Sequence, residues 1–449
     1  MRKKPSFGPL SSSCLRALLL SLVLTASPLA TQQARAEGFG LNEWSARGIA
    51  LGGAAVARTP DASAVAYNPA LITKLKGTHI QAGMSFISPS GTIRYTDNDG
   101  VRGAQSPRDD TWPVPNFYLS TQLNDNWYLG VGQFSRFGLG FSYPHNWKGR
   151  FNIYSVGLET ASINPVIAWK ATEKLSLAAG FEAQYLRLDL NKRVQRQLHP
   201  PADPLTGEVE VDSDISKATS VGFGFNVAAH YQISDQWAVG AQYRSAMKQR
   251  AEGKNEFSMI ENKSAHGDDV VMNGLFKDSD VHGTVIMPES FSFGLAWEPN
   301  EQWSFEAGAI WTRWSSFRTL RIHFSEPQKS SVPGVSHVSE SKKHWSDAWR
   351  INFGAEYKPV DWLALRAGIL WDQSPMTDHY ADYLVPSNDR FTYSVGVGFF
   401  LDAWSLDLGY AYIDIQDRYW QKSDELGTLH SRTKNADTHI VSASVGYHF

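Results

Sequence analysis

The chain has 449 residues, with 42 Lys and Arg against 45 Asp and Glu, a net charge of −3, and a single cysteine. That balance argues against a nucleic-acid partner. Beyond the amino terminus no window approaches about eighteen consecutive apolar residues, which excludes transmembrane helices.

The amino terminus carries Arg2, Lys3 and Lys4, then the apolar run ALLLSLVL (17 to 24), then the small-x-small triplet Ala34-Arg35-Ala36. This is the form of a secretory signal peptide, residues 1–36, cut after Ala36. Its removal takes away five positive charges (Arg2, Lys3, Lys4, Arg16, Arg35) and no acid, so the net charge moves from −3 to −8. Cys14 lies inside the leader, which leaves the mature chain without thiol or disulfide. An exported, cysteine-free chain fits a bacterial envelope.

Residues 37–78 are rich in small residues and broken at Asn68-Pro69, with helix-compatible pieces such as Ala62 to Tyr67. So small a glycine-rich unit cannot bury a core of its own. From His79 to the end the period changes to two, the mark of a strand with unlike faces. Val221, Phe223, Phe225 and Val227 alternate with Gly222, Gly224, Asn226 and Ala228; Phe291, Phe293, Leu295 and Trp297 alternate with Ser292, Gly294 and Ala296. The spacing predicts fourteen strands, near 79–95, 112–123, 126–143, 156–170, 174–193, 217–233, 236–250, 280–298, 302–325, 344–358, 361–373, 389–401, 403–415 and 435–449.

Tight turns that place an acidic or amide residue before a Trp (NDNW, SDQW, PNEQW, PVDW, LDAW) alternate with long polar stretches, 194–216, 251–278, 326–343, 374–388 and 416–434, read as loops. Short turns on one side and long loops on the other describe a transmembrane barrel, with most of the sixteen Trp forming girdles or facing lipid. A closed sheet this wide cannot be filled by its own side chains. The small or polar face therefore points inward and the apolar face meets lipid, where only a closed sheet satisfies its backbone groups. The fold class expected is all-β: a 14-stranded antiparallel transmembrane β-barrel over 79–449, its lumen stoppered by a partly helical hatch, 37–78. An even strand count returns both ends to the periplasmic side. Phe449 is the last outward residue of its strand, and a terminal aromatic of this kind suits recognition by the barrel-assembly machinery.

Gly38-Phe39, Leu41-Asn42-Glu43 and Asn68-Pro69-Ala70-Leu71, followed in order by NWKGRF, INPVIAW, MPESFSFGLAW, WSDAWRINFGAEY, WDQSP and LVPSNDRF, make the mature chain resemble the FadL family of outer-membrane transporters of long-chain fatty acids and related hydrophobic compounds. The resemblance implies capture of a long-chain fatty acid or other hydrophobic molecule among extracellular loops and passage to a pocket in the barrel. Release then follows sideways through a gap where the third strand kinks, under control of the hatch and without an energy source. It matches Phe39 to the aromatic near the pocket and Asn68, with Pro69, to the asparagine that contacts the kink; an ordinary turn before proline is the plainer reading of Asn68. The kink is expected in FSRFGLG (134 to 140), with Ser135 and Gly138 as its pieces, although Gly138 also reads as a lumen-facing strand glycine.

A fatty acid needs apolar contact and a cation for its carboxylate. By parity Arg244, Arg350 and Arg366 project inward, but so do Glu182, Glu306, Glu356 and Asp407, and mutual ion pairs compete with a ligand role. Phe141, Tyr143, Trp147 and Phe151 can build an outer groove or anchor the interface. No cofactor, metal site or catalytic residue is expected: zinc-protease, nucleophile-elbow and nucleotide-loop motifs are absent, and DNDG (97 to 100) lacks the glutamate that closes a calcium loop and reads as a turn. A hydrophilic-solute porin is the competing reading, disfavoured because a hatch blocks a simple pore. The expected surroundings are outer-membrane lipid and lipopolysaccharide, and the expected state is a monomer.

Overall fold

Alternation along the chain closes into a cylinder in the computed structural model, which describes residues 38–449 apart from 109, 199–206, 330–334 and 424–425. The expected leader lies outside the described residues. Among these residues the wall has fourteen antiparallel strands. They are β1 (Thr78–Thr96), β2 (Trp112–Gln122), β3 (Trp127–Phe134, resuming as Gly138–Ser142), β4 (Ser155–Lys170), β5 (Leu175–Leu198), β6 (Gly207–Gln232) and β7 (Trp237–Arg244, resuming as Met247–Asn262). The wall continues with β8 (Ser279–Met287, resuming as Ser290–Trp297), β9 (Trp303–Thr312, resuming as Thr319–Lys329) and β10 (Val335–Lys342, resuming as Ala348–Val360). It ends with β11 (Leu363–Asp372), β12 (Arg390–Leu401), β13 (Trp404–Ile415) and β14 (His430–His448). Each strand pairs with the next, and β1 pairs with β14 from His79↔His448 to Thr96↔His430, which closes the cylinder.

The side-chain faces follow the parity read from the sequence. Phe223, Phe293, Ile369 and Val441 are exposed on the outside, while Gln184, Asn226, Gln242 and Ser442 are buried inside. The amide turns work by side-chain capping: the Asn124 and Asn300 side chains accept from the backbone N–H of Trp127 and Trp303, at 3.0 and 2.9 Å. The Trp residues so placed stack into a girdle, Trp127 on Trp169, Trp237 on Trp297 and Trp303 on Tyr357.

Of the stretches read as loops, 194–216 and 326–343 are largely strand where described, and 251–278 is strand to Asn262 followed by a helix, Asp268–Leu275. β5 and β6 pair out to Leu198↔Gly207, β7 continues to Asn262, and the first segment of β10 covers Val335–Lys342. Beyond the membrane neither face must be apolar, so these strands lose the alternation that marks the others; cross-strand charges such as Arg193 and Asp212, 3.7 Å apart, support them instead. The stretch 374–388 holds only the short 3-10 turn Asp378–Tyr380. DNDG is a turn, with the Asp97 side chain accepting from the N–H groups of Asp99 and Val101.

Inside the lumen sits the hatch. It contains α1 (Ala46–Ala50), capped by the Ser45 hydroxyl, α2 (Ala64–Tyr67), and a 3-10 helix, Pro69–Lys74, capped by the Asn68 side chain. The inward glycines of the wall let hatch backbone approach directly. A Cβ on Gly240 would lie 2.0 Å from the Val56 carbonyl oxygen, and one on Gly368 would lie 2.3 Å from the Gly52 nitrogen.

Candidate functional site

Five strands are interrupted, and the breaks in β3 (135–137), β9 (313–318) and β10 (343–347) turn aromatic side chains inward. Phe137, Trp314, Phe317 and Trp345 surround Phe39 of the hatch, with ring centroids 6.0, 4.7, 5.9 and 5.7 Å away. Edge-to-face packing of this kind adds to simple burial. Phe39 thus sits at the centre of an aromatic cage.

The β3 break is a bulge. Phe134 pairs with Ser162 and Gly138 with Glu159, so three residues, 135–137, face two, 160–161. The Ser135 hydroxyl donates to the Thr160 carbonyl at 2.5 Å, and the Thr160 hydroxyl donates to the Phe137 carbonyl at 2.6 Å. Hatch backbone takes up the rest: Leu41 N–H donates to the Arg136 carbonyl and Gly138 N–H to the Phe39 carbonyl. Trp44 Nε1 donates to the Ser135 carbonyl at 2.8 Å. At Gly138 a Cβ would meet the Leu41 side chain at 2.8 Å, so this glycine seats the hatch. Ser135 therefore belongs to the bulge and Gly138 resumes the strand directly after it. Asn68 does not touch it. Its amide donates to the carbonyls of Val56 and Ala229, 2.7 and 3.1 Å away, and its oxygen caps Ala70, which ties the hatch to β6 on another part of the wall. Pro69 follows it at the first position of the 3-10 helix, where its missing N–H costs nothing.

Above the bulge the wall is open. The β2–β3 ladder runs only from Phe117↔Gln133 to Gln122↔Tyr128, and pairing to β2 is not resumed by Gly138–Ser142. Pro113 and Pro115 stand on this stretch of β2, where each has no N–H to leave unpaired. The Arg108 N–H to Ser142 carbonyl bond, 2.7 Å, closes the opening at its top. A cavity of about 550 Å³ lies behind it, lined among others by Pro113, Pro115, Ser135, Gly138, Phe141 and Phe39.

Two further cavities continue from it. An apolar slot of about 90 Å³ shares Phe39, Leu139 and Leu158 with the lateral cavity and is walled by Leu186, Leu188 and Leu190 of β5. Leu190, Leu320, Ile322 and Leu384 also line an outer vestibule of about 710 Å³, whose rim carries Lys148, Arg150, Lys192, Arg193 and Lys343. Most of these cations are engaged: Arg150 with Glu210 (2.9 Å), Lys148 with Asp97 (3.2 Å), Arg193 with Asp212, and Lys343 with Asp382. Lys192 makes no ion pair or side-chain hydrogen bond among the described residues. It is half-buried, and burial, with Lys343 nearby, pushes its ammonium below the ordinary lysine range.

The inward arginines divide. Arg244 donates to Glu182 at 2.8 Å and to the Ala66 carbonyl at 2.8 Å, and Arg366 lies between Glu356 and Asp407, 2.6 Å from each. Both are held in ion pairs under the hatch and line none of the three cavities, so of the two roles open to them, ligand contact and ion pairing, the structure has the ion pair. Arg350 does reach the lateral cavity, with Asp372 at 3.4 Å. Phe141 lines that cavity too, and Phe151 lines the vestibule beneath the Arg150 guanidinium. Trp147 is packed between Tyr143 and Tyr383 with its indole N–H on the Ile153 carbonyl; it is buried core and lines none of the three cavities. Phe449 is exposed on the outer wall, its N–H paired to Thr78.

Lys192, the β5 leucines and the cage aromatics Trp314, Phe317 and Trp345 escape the sequence reading. One signal was present. Along β5 the apolar parity flips after Tyr185, from the outward Leu177, Phe181 and Tyr185 to the inward Leu186, Leu188 and Leu190. A strand leaving lipid and entering an apolar lumen does just that.

The sequence model of the family described as outer membrane protein transport protein (OMPP1/FadL/TodX) matches residues 27–449. The long-chain fatty acid transport protein of Salmonella typhi is 28% identical, the match covering 88% of this chain and 91% of the relative. The fold is similar to that of a Pseudomonas aeruginosa FadL homologue, with a TM-score of 0.79, 20% identity, and 92% and 100% of the two chains covered. It is similar also to the P. putida toluene transporter TodX, with a TM-score of 0.70, 20% identity, and 91% and 99% covered.

Proposed function

The chain belongs to the OMPP1/FadL/TodX family of outer-membrane transporters of hydrophobic compounds, and within that family we propose that it takes up long-chain carboxylates and releases them sideways into the membrane. The observation that carries this reading is the β5 face, on which Leu186, Leu188 and Leu190 line an apolar slot and Lys192 follows at the same parity on the vestibule rim. A tail in the slot removes apolar surface from water, at roughly 25 cal/mol per Å². A carboxylate at the rim meets an ammonium that has no other partner among the described residues.

Phe39 stands between the slot and the lateral cavity and is held by hatch backbone bonded to the β3 bulge. Withdrawal of the hatch amino terminus from the bulge pulls Phe39 out of its cage and joins the two spaces. The ligand then passes down its own gradient between β2 and β3 without crossing the polar sugar layer. Phe449 serves as the terminal residue recognised by the barrel-assembly machinery.

The test compares a long-chain fatty acid with its matched alcohol on purified protein in nanodiscs. Lys192→Met is expected to weaken fatty-acid binding about tenfold, about 1.4 kcal/mol, and to leave the alcohol unchanged. Equal losses for both ligands, or preference for a small aromatic hydrocarbon over either, would remove the carboxylate from the proposal.

A further inference from the structure

We infer that the outer face of the barrel seam, where β1 meets β14, binds the phosphorylated sugar headgroup of an outer-leaflet saccharolipid. Cross-strand partners in an antiparallel sheet share a face. Arg94 lies opposite Arg432, Thr96 opposite both His430 and Arg102, and Tyr419 opposite Arg432. These six side chains therefore stand on one face of a small sheet built from β1, β14 and the short strands Arg102–Gln105 and Tyr419–Trp420. Ile93, Ser431 and Thr433, at the alternate positions, are buried inside, so the shared face is the outer one. The six line a depression of about 520 Å³.

Two features of this face ask for an anion. Arg94, Arg102 and Arg432 make no ion pair and no side-chain hydrogen bond among the described residues. Other arginines of the extracellular region are paired: Arg150 with Glu210, Arg187 with Asp189, and Arg321 with Glu340. The carboxylates near the cluster are already taken, Asp97 by Lys148 and Asp417 by Lys434. Moreover, like charges directly opposite each other on antiparallel strands repel. An anion between Arg94 and Arg432 turns that repulsion into two attractions, and guanidinium groups fit phosphate oxygens in pairs.

The position on the wall selects the source of the anion. The same outer face of β14 and β1 continues downward through the exposed Val441, Val445 and Phe86, which meet lipid. From Val441 to Arg432, strands rising about 3.3 Å per residue and tilted by about 40° climb roughly 20 Å. That is above the acyl chains and within the sugar and phosphate layer of an outer leaflet. Tyr419, 60% exposed, offers a ring face to a sugar beside the arginines. Because Arg94 belongs to the first strand and Arg432 to the last, a headgroup held by both bridges the seam and stabilises the closed barrel.

The experiment uses the full mature chain purified free of lipopolysaccharide, titrated with phosphorylated lipopolysaccharide, with the same material after dephosphorylation, and with inorganic phosphate, while binding and thermal unfolding are followed. The expected result is binding that needs the lipid's phosphates, weakens with added salt, and raises the unfolding temperature. The double variant Arg94→Gln, Arg432→Gln is expected to bind about tenfold more weakly or worse and to lose the thermal shift, yet to unfold no earlier than the parent in lipid-free detergent, since its repulsion is gone. If that variant does not assemble, Arg102→Gln, on the hairpin outside the barrel wall, repeats the test with a severalfold loss. Unchanged affinity in the variant that assembles, or equal binding of the dephosphorylated lipid, would overturn the inference. Displacement by millimolar inorganic phosphate with the same stabilisation would make this a free-anion site and overturn its assignment to lipid.

Discussion

Lys192 and Arg366 are both cations aimed into the barrel, and their surroundings give them opposite roles. Arg366 is neutralised by Glu356 and Asp407 in a site covered by the hatch, so removing it leaves buried carboxylates uncompensated. Lys192 faces a vestibule, and desolvation rather than a partner governs its charge. Its folded pKa is lowered, so the ammonium is present at low pH and is lost as pH rises through a value below the ordinary lysine one. Long-chain carboxylate affinity is accordingly expected to fall with rising pH before free lysine, near about 10.4, would titrate. Titration calorimetry at a series of pH values checks this, and a matched alcohol, blind to the ammonium, is expected to show no such fall.

At the level of the element, interruptions of the strands do the shaping. An unbroken β3 would pair with β2 along its whole length and seal the wall; one extra residue among 135–137 bends it inward and leaves Trp112–Asn116 without a partner on that side. The bulge also delivers Phe137 to the cage and exposes carbonyls to which the hatch bonds. Deleting Arg136 restores a one-to-one register with β4 and spares Glu182, which keeps Arg244. Uptake of labelled fatty acid by cells expressing this deletion is expected to drop at least about tenfold, while the purified protein still binds the ligand. Retained uptake would mean that exit does not use the gap between β2 and β3.

For the molecule as a whole, the question is how a stopper stays in place yet can be shifted. Its middle is fixed by Glu306 of β9, which accepts from the N–H groups of Val56, Ala57 and Arg58 at 2.7 to 3.0 Å and faces the Arg58 guanidinium at 3.7 Å. Arg47 is held by Glu356 in the same way, at 3.1 Å. The amino-terminal end, by contrast, rests on the β3 bulge through backbone bonds and the Trp44 indole N–H, on the Arg350 guanidinium through the Gly40 carbonyl, and on the packing of Phe39. Such a hatch is anchored by buried ion pairs at its centre and by neutral hydrogen bonds and ring packing at its tip. Glu306→Gln leaves Arg58 buried without its carboxylate, a change worth about 3–5 kcal/mol. Planar-bilayer recordings are expected to show frequent open-channel events in this variant and few in the parent; identical traces would place the anchor elsewhere.

The period of two, the turn asparagines before Trp127 and Trp303, and the small inward residues were enough to determine the strand count, the closed barrel and the facing of its walls, because lipid outside and a wide lumen inside impose opposite demands on alternate residues. The stretch 134–140 is singled out by the family resemblance and not by the alternation; the three-for-two bulge at 135–137 lies within it. Tertiary structure alone decided the rest. Asn68 proved to cap a 3-10 helix and Trp147 to be buried core, and the choice between ligand contact and ion pairing left open at Arg244 and Arg366 went to pairs with wall acids, because each role depends on which distant segment folds against that side chain. The same holds for Lys192 and for the arginines of the seam, whose meaning comes from having no ion-pair partner among the described residues, which only the folded chain makes visible.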